Sequence, residues 1–211
     1  MSAADLRTGH VAIAIRRHRL IAVLRRVQPL PALLELVDEL ANAGVRVFEI
    51  TLDAPDGADD LAAVRSRLAG GACLVGAGTI LRPEQLEAAQ RAGADFAVAP
   101  LLDASLLRSA VERGLPFVPG AMTPTEVAAA WDAGATFVKL FPASAVGPAF
   151  VRELRGPLPT IELIPTGGID ADSAGAFLAA GAAAVGIGSA ITRGTPGQRR
   201  AMVESVVATP S

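Results

Sequence analysis

Apolar and polar positions in this chain follow two alternating rhythms. Alanine- and leucine-rich stretches at helical spacing give way to short runs of β-branched and aromatic residues. One joint recurs between them: Ala43-Gly44-Val-Arg-Val-Phe48, Ala92-Gly93-Ala-Asp-Phe96, Ala133-Gly134-Ala-Thr-Phe137 and Ala180-Gly181-Ala-Ala-Ala-Val185. The glycines are 49, 41 and 47 residues apart, and each fits the position just past a helix C-cap, with a tight turn into a strand. Similar joints at Gly70-Gly71 and Gly114-Leu-Pro116 divide the interval, so each repeat spans two βα units.

The pattern predicts strands near 20–25, 46–51, 73–77, 95–99, 116–119, 136–141, 161–165 and 184–187. Helices are predicted near 31–43, 58–69, 83–92, 103–113, 124–133, 148–155, 171–180 and 196–207. Pro31, Pro83 and Pro124 suit first helical positions, Asp103 and Asp170 suit N-caps, and Thr123-Pro-Thr-Glu126 is a capping-box pattern. Residues 4–19 read as an extra helix that closes the floor. Strands alternating with helices in this number predict an α/β protein, a single (β/α)8 TIM barrel domain over residues 1–211 with an extra N-terminal helix. The competing architecture, a doubly wound open sheet, lacks an early Gly-rich dinucleotide fingerprint.

Composition narrows the function. A chain of 211 residues, 51% hydrophobic, can fill one core. A net charge of −2 without a basic cluster argues against nucleic acid as a partner. No apolar run reaches membrane-spanning length, the start lacks a signal-peptide core, and the one cysteine, Cys73, fits a reducing compartment; the expectation is a cytoplasmic protein without a membrane partner. The distinctive residue is Lys139. It is the only lysine beside eighteen arginines, and it lies in the apolar run Thr136-Phe-Val-Lys-Leu-Phe-Pro142. A lysine amine, unlike a guanidinium, can act as a nucleophile toward a carbonyl carbon.

Strand parity places the chemistry. With Val138 and Leu140 facing the helices, Lys139 turns inward with Phe137 and Phe141. With Phe48 and Ile50 outward, Glu49 and Thr51 turn inward; with Ala22 and Leu24 outward, Arg25 turns inward. Three charged groups late in their strands could be a structural ion cluster, but barrel active sites lie at that end. A lysine that forms an imine, a carboxyl that moves protons and an arginine fork that grips a carboxylate fit a 2-keto acid substrate. Pro165-Thr-Gly-Gly-Ile-Asp170 and Gly186-Ile-Gly-Ser189 offer backbone N–H groups to an anion such as phosphate. Gly76-Ala-Gly-Thr79 either approaches a ligand or eases a turn. His10 and His18 lie in the N-terminal segment, away from the strand ends, which argues against a histidine-ligated metal and a Ser-His-Asp triad; a carboxylate-only metal site stays open, but no paired acidic cluster falls at the strand ends, so no metal is expected.

Six ordered segments, Ile21-Ala-Val-Leu-Arg25, Phe48-Glu-Ile-Thr51, Val75-Gly-Ala-Gly-Thr79, Phe117-Val-Pro-Gly120, Val138-Lys-Leu-Phe-Pro-Ala143 and Pro165-Thr-Gly-Gly168, resemble the KDPG/KHG aldolase family across about residues 20–190. These are the class I 2-keto-3-deoxy-6-phosphogluconate and 4-hydroxy-2-oxoglutarate aldolases. The resemblance implies a homotrimeric barrel without cofactor that cleaves a 4-hydroxy-2-keto acid to pyruvate and an aldehyde. It implies Lys139 as imine former, Glu49 as proton shuttle, and Arg25 and Thr79 at the substrate carboxylate. Thr51, Pro100, Phe141 and Thr166 would form the pocket, and Gly167, Gly168, Gly188 and Ser189 would hold a distal phosphate.

The substrate signals divide. Arg26 stands where many members carry Gly or Lys, and Asp53 stands where gluconate-type enzymes often place Arg, a change expected to weaken phosphate binding. Thr166 resembles the gluconate branch, whereas Ser144-Ala-Val-Gly-Pro148 is nearer the 2-keto-3-deoxy-6-phosphogalactonate type. A phosphosugar isomerase or synthase on a similar barrel, working without an imine, is the alternative enzyme. A ligand-binding barrel is the non-enzymatic one.

Overall fold

The computed structural model of the chain describes residues 2–207. Two helices come first, α1 (Ala3–Thr8) and α2 (His10–His18), followed by β1 (Leu20–Leu24), α3 (Leu30–Asn42), β2 (Val47–Thr51), α4 (Gly57–Arg67), β3 (Leu74–Gly78), α5 (Pro83–Arg91) and β4 (Ala97–Val98). Next are α6 (Ala104–Glu112), β5 (Phe117–Val118), β6 (Gly120–Ala121), α7 (Pro124–Asp132), β7 (Val138–Leu140), a 3₁₀ turn (Ala143–Ala145) and α8 (Gly147–Arg155). The chain continues through β8 (Leu163–Pro165), α9 (Ala171–Ala179), β9 (Val185–Ile187), α10 (Ser189–Thr192) and α11 (Pro196–Val207).

Every strand pairing is parallel, and the ladder closes. Six strands run in the order β5-β4-β3-β2-β1-β9, and three more in the order β6-β7-β8. β5 and β6 are one barrel strand interrupted at Pro119, which has no N–H to give a ladder. The Pro119 carbonyl still accepts from Lys139 N at 2.9 Å, so the neighbouring strand stays attached. A bridge between Thr166 and Gly186 joins β8 to β9, which pairs with β1. The result is the (β/α)8 barrel that the alternation predicts.

The period-2 pattern sorts side chains into two cores. Ala22, Leu24, Phe48, Ile50, Val138 and Leu140 face the helices, as parity requires. Inside the barrel a second cluster collects Ile21, Val23, Val47, Phe96, Phe137 and Ile164, and Val11, Ala12 and Ile15 of α2 seal it from below. Burying a large side chain such as Phe137 is worth about 1.5–3 kcal/mol, so this plug anchors the lower half of the barrel. The upper half holds Glu49, Thr51, Lys139 and Thr166, separated by glycines.

The N-terminal segment is two helices rather than the single one expected over 4–19. Gly9 is extended, ending α1 and opening α2; glycine is a poor helix former and costs little in that conformation. The segment still closes the floor. Arg7 stacks 3.7 Å over the Trp131 ring and donates to Ala135 O at 2.9 Å, while Arg16 donates to Glu162 Oε1 at 2.7 Å. The four recurrent glycines have φ of 111° (Gly44), 81° (Gly93), 104° (Gly134) and 98° (Gly181), the left-handed region favoured just past a helix C-cap. Thr123 makes the capping box that its spacing announces, Asp170 caps its helix as expected and adds a box with Ser173, and Asp103 accepts from the N–H groups of Ser105 and Leu106. No helix of the described residues is long and apolar enough to cross a membrane.

Candidate active site

β7 and β2 carry the two central groups from opposite sides of the barrel. Lys139 is 3% exposed and Glu49 2%, and Lys139 Nζ lies 4.0 Å from Glu49 Oε1. That separation is too long for a hydrogen bond, so the amine and the carboxyl group face each other across a narrow gap. Lys139 Nζ also lies 5.1 Å from the Phe141 ring centroid. Removing either partner would leave the other buried without compensation.

Glycines on neighbouring strands make this arrangement possible. A Cβ on Gly78 of β3 would lie 2.1 Å from Glu49 Oε1, so the carboxyl occupies the space that a side chain there would need. A Cβ on Gly186 would lie 2.4 Å from Thr166 Oγ1, and one on Gly120 would lie 2.2 Å from the Pro100 carbonyl oxygen. Glu49 and Thr166 each lean across a neighbouring strand that has no side chain to block them, and at Gly120 it is the Pro100 backbone that comes close.

Arg25 stands at the mouth, just beyond β1. Its Nη2 donates to Thr79 Oγ1 at 3.3 Å and its Nη1 lies 3.7 Å from Asp53 Oδ2, which also meets Arg26 Nε at 3.1 Å. Asp53, which stands where an arginine was expected to favour phosphate binding, thus pairs with two arginines. Thr79 has φ 59°, an unusual conformation for a β-branched residue and one that strains the backbone beside the Arg25 contact.

A cavity of about 370 Å³ opens here, lined by Arg25, Lys139, Phe141, Thr166, Gly167, Gly168, Gly188 and Ser189 among the residues singled out from sequence. Gly167 and Gly168 have φ of 93° and 73°, and a Cβ on Gly168 would sit 2.5 Å from that of Ser144, so backbone faces the ligand space. Thr51 is buried nearby: Leu24 pairs with Ile50, which puts Arg25 level with Thr51. Pro100 lies outside the cavity wall, packed over Gly120.

Sequence reasoning missed Val23, Ile169, Thr192 and Arg193, which complete the wall. Arg193 matters most. It follows the four-residue α10, a turn too short to show a periodic signal, and adds a third cation to a wall that contains no carboxylate. A smaller cavity of about 230 Å³ lies at the floor beside Asp5, His10 and Asp95. Its two carboxylates are already engaged, Asp5 by Ser2 and Asp95 by Arg65 and the Val75 N–H.

Known proteins resemble the chain in sequence and in shape. A family model described as KDPG and KHG aldolase matches residues 11–200. The 2-dehydro-3-deoxy-6-phosphogalactonate aldolase of Escherichia coli K12 is 37% identical over 175 residues, covering 82% of this chain and 84% of its own. The 2-dehydro-3-deoxy-phosphogluconate aldolase of Treponema pallidum is 34% identical over 169 residues, covering 79% and 78%. The KDPG aldolase of Legionella pneumophila, solved with pyruvate captured as a covalent carbinolamine, superposes with a TM-score of 0.83 at 27% identity, over 97% of this chain and 100% of that one. The match takes in the barrel and the α2 floor alike: the chain belongs to the KDPG and KHG aldolase family.

Proposed function

We propose that the protein is a class I aldolase that cleaves a 4-hydroxy-2-keto acid to pyruvate and an aldehyde. One observation carries this reading: the chain's single lysine is buried in the upper barrel, 4.0 Å from a buried glutamate and in the same cavity as Arg25. Arg25 and Thr79 hold the substrate carboxylate, and Thr51, Phe141 and Thr166 shape the pocket around it. The Lys139 amine attacks the C2 carbonyl, a C–N bond forms, and loss of water gives an iminium. Glu49 then takes the C4 hydroxyl proton. As the C3–C4 bond breaks, its electrons pass into C2=C3 and onto nitrogen, and the aldehyde leaves. Glu49 returns the proton to C3, and hydrolysis frees pyruvate. Pyruvate and borohydride should leave a stable adduct on Lys139; an unmodified lysine after reduction rejects the imine and favours a synthase or isomerase on the same barrel.

The distal end of the cavity favours a substrate with a second anion. Gly167, Gly168, Gly188 and Ser189 bring backbone and a hydroxyl to that end, and Arg193 brings charge. A phosphate there suits 2-keto-3-deoxy-6-phosphogluconate or its galactonate epimer, and a carboxylate suits 4-hydroxy-2-oxoglutarate. Arg193→Ala should lower kcat/KM for the sugar acid phosphates roughly tenfold to a hundredfold, the worth of about 1.5–3 kcal/mol for a hydrogen bond to a charged group. The loss should be smaller on the unphosphorylated acid. Equal losses on both would remove Arg193 from the anion site.

The reading includes a homotrimer. Leu81, Leu101 and Met122 expose apolar surface in the loops after β3, β4 and β6, a set of adjacent ledges suited to further copies of the chain. Sedimentation as a three-chain species supports this assembly; a monomer refutes it.

A further inference from the structure

Among the described residues, the buried side-chain oxygens without a hydrogen-bond partner are Glu49 Oε1, Thr51 Oγ1 and Asp53 Oδ1. They occupy alternate positions on β2 and the turn after it, and alternate residues of a strand face the same side. Glu49 and Thr51 therefore point to the same side of β2, and Asp53 follows in the turn just past the strand, where its Oδ2 meets Arg25 and Arg26 at the mouth. Other buried threonines lack this feature. Thr136 Oγ1 accepts from Phe117 N at 3.3 Å, and Thr166 Oγ1 donates to Ile164 O at 3.3 Å. A buried oxygen without a partner is costly, so two on one face of β2 and a third in the turn after it mark a place where mobile hydrogen-bonding partners belong.

We propose that this row is a proton path, in which Glu49 exchanges its proton with solvent through the Thr51 hydroxyl and on to Asp53 at the mouth. The inference rests on the reading of Glu49 as acid and base given above. A hydroxyl accepts on a lone pair while donating its own hydrogen, so it can pass a proton along, and the carboxylates at either end can accept one. Alternate strand residues repeat at about 6.6 Å, and one bridging water spans roughly 5.5 Å between oxygens, so one water bridges Glu49 and Thr51 when the side chains incline together, and water carries the link on to Asp53 in the turn.

The path has a measurable chemical consequence. In the pyruvate imine Glu49 removes a C3 proton; the C–H electron pair becomes C2=C3, and the iminium pair returns to nitrogen. If the proton stays on Glu49 it goes back to the same carbon. If it leaves by way of Thr51, a solvent deuteron replaces it. Cleavage differs, because the proton that Glu49 takes from the C4 hydroxyl is the one it delivers to C3, and no exit is required.

The test compares two rates in D2O: deuterium entry into the pyruvate methyl group, followed by NMR, and cleavage of a 4-hydroxy-2-keto acid. Thr51→Val keeps the shape and removes the hydroxyl, and it should lower the ratio of exchange to cleavage tenfold or more. Thr51→Ser should restore the ratio, which a role in packing alone would not produce. If Thr51→Val folds poorly, Thr51→Ala gives the same comparison. An unchanged ratio, or one that Ser fails to restore, overturns the path while leaving the aldolase reading intact. Failure of the unaltered protein both to exchange and to trap pyruvate under borohydride overturns the aldolase reading itself, and the path with it.

Discussion

Glu49→Gln should still trap pyruvate on Lys139 under borohydride, yet cleave its substrate about 10²–10⁴-fold more slowly, the usual contribution of a positioned acid–base group. Glutamine keeps the shape of the side chain but cannot take the C4 proton at the step where the carbon–carbon bond breaks. Lys139→Arg is the complementary change. A guanidinium remains protonated and is no nucleophile, so both the adduct and cleavage should disappear. Single-turnover cleavage and borohydride trapping, measured on both variants, separate the two roles. Parallel loss of adduct and cleavage in Glu49→Gln would mean that the carboxylate supports the amine rather than moving the proton.

The second large effect is expected from a residue with no functional group. Gly78→Ala should lower kcat about 10²-fold, a larger effect than its cost to folding. Its added Cβ would lie 2.1 Å from Glu49 Oε1, and no real Cβ contact is that short. The φ of Gly78 is outside the left-handed region, so alanine adds no backbone strain, and the obstruction is the Glu49 side chain alone, whose Cδ and Cγ would also lie 2.6 Å from the new Cβ, so the whole carboxyl arm must swing away. The barrel therefore folds and the carboxyl moves by the order of 1 Å, a displacement that can cost about 10²-fold in rate. Thermal unfolding and kcat, measured together, check this. A large drop in melting temperature with normal activity per folded molecule would place the fault in packing instead.

Most of the barrel was legible because the relevant signals are local. Helix spacing, the glycines after each C-cap and the period-2 parity of β2 and β7 gave the architecture and turned Lys139 and Glu49 toward each other. The discrepancies also have local causes. Gly9 divides the N-terminal helix, and Pro119 interrupts the fifth barrel strand. The site was less legible where its wall comes from irregular backbone. Arg193 follows a single turn of helix, and nothing in its neighbourhood distinguishes it from the other surface arginines. The Arg25–Asp53–Arg26 arrangement depends on side chains meeting across a turn, which periodicity does not register. The row of unpaired oxygens on β2 was half visible: parity turns Glu49 and Thr51 the same way, but only the fold reveals that their oxygens lack partners.

The division of the barrel interior into an apolar plug below and a glycine-spaced chamber above has a consequence for how such a protein can change over generations. Ile21, Val47, Phe137 and the α2 residues under them contribute cohesion and touch no ligand space. The rim residues line or border the cavity and take no part in this plug. On the proposed reading, a substitution at Arg193 can therefore shift substrate preference without undermining the foundation, and the plug can drift among apolar residues of similar volume without reaching the cavity. Stability and substrate choice are in this sense inherited separately within a single barrel.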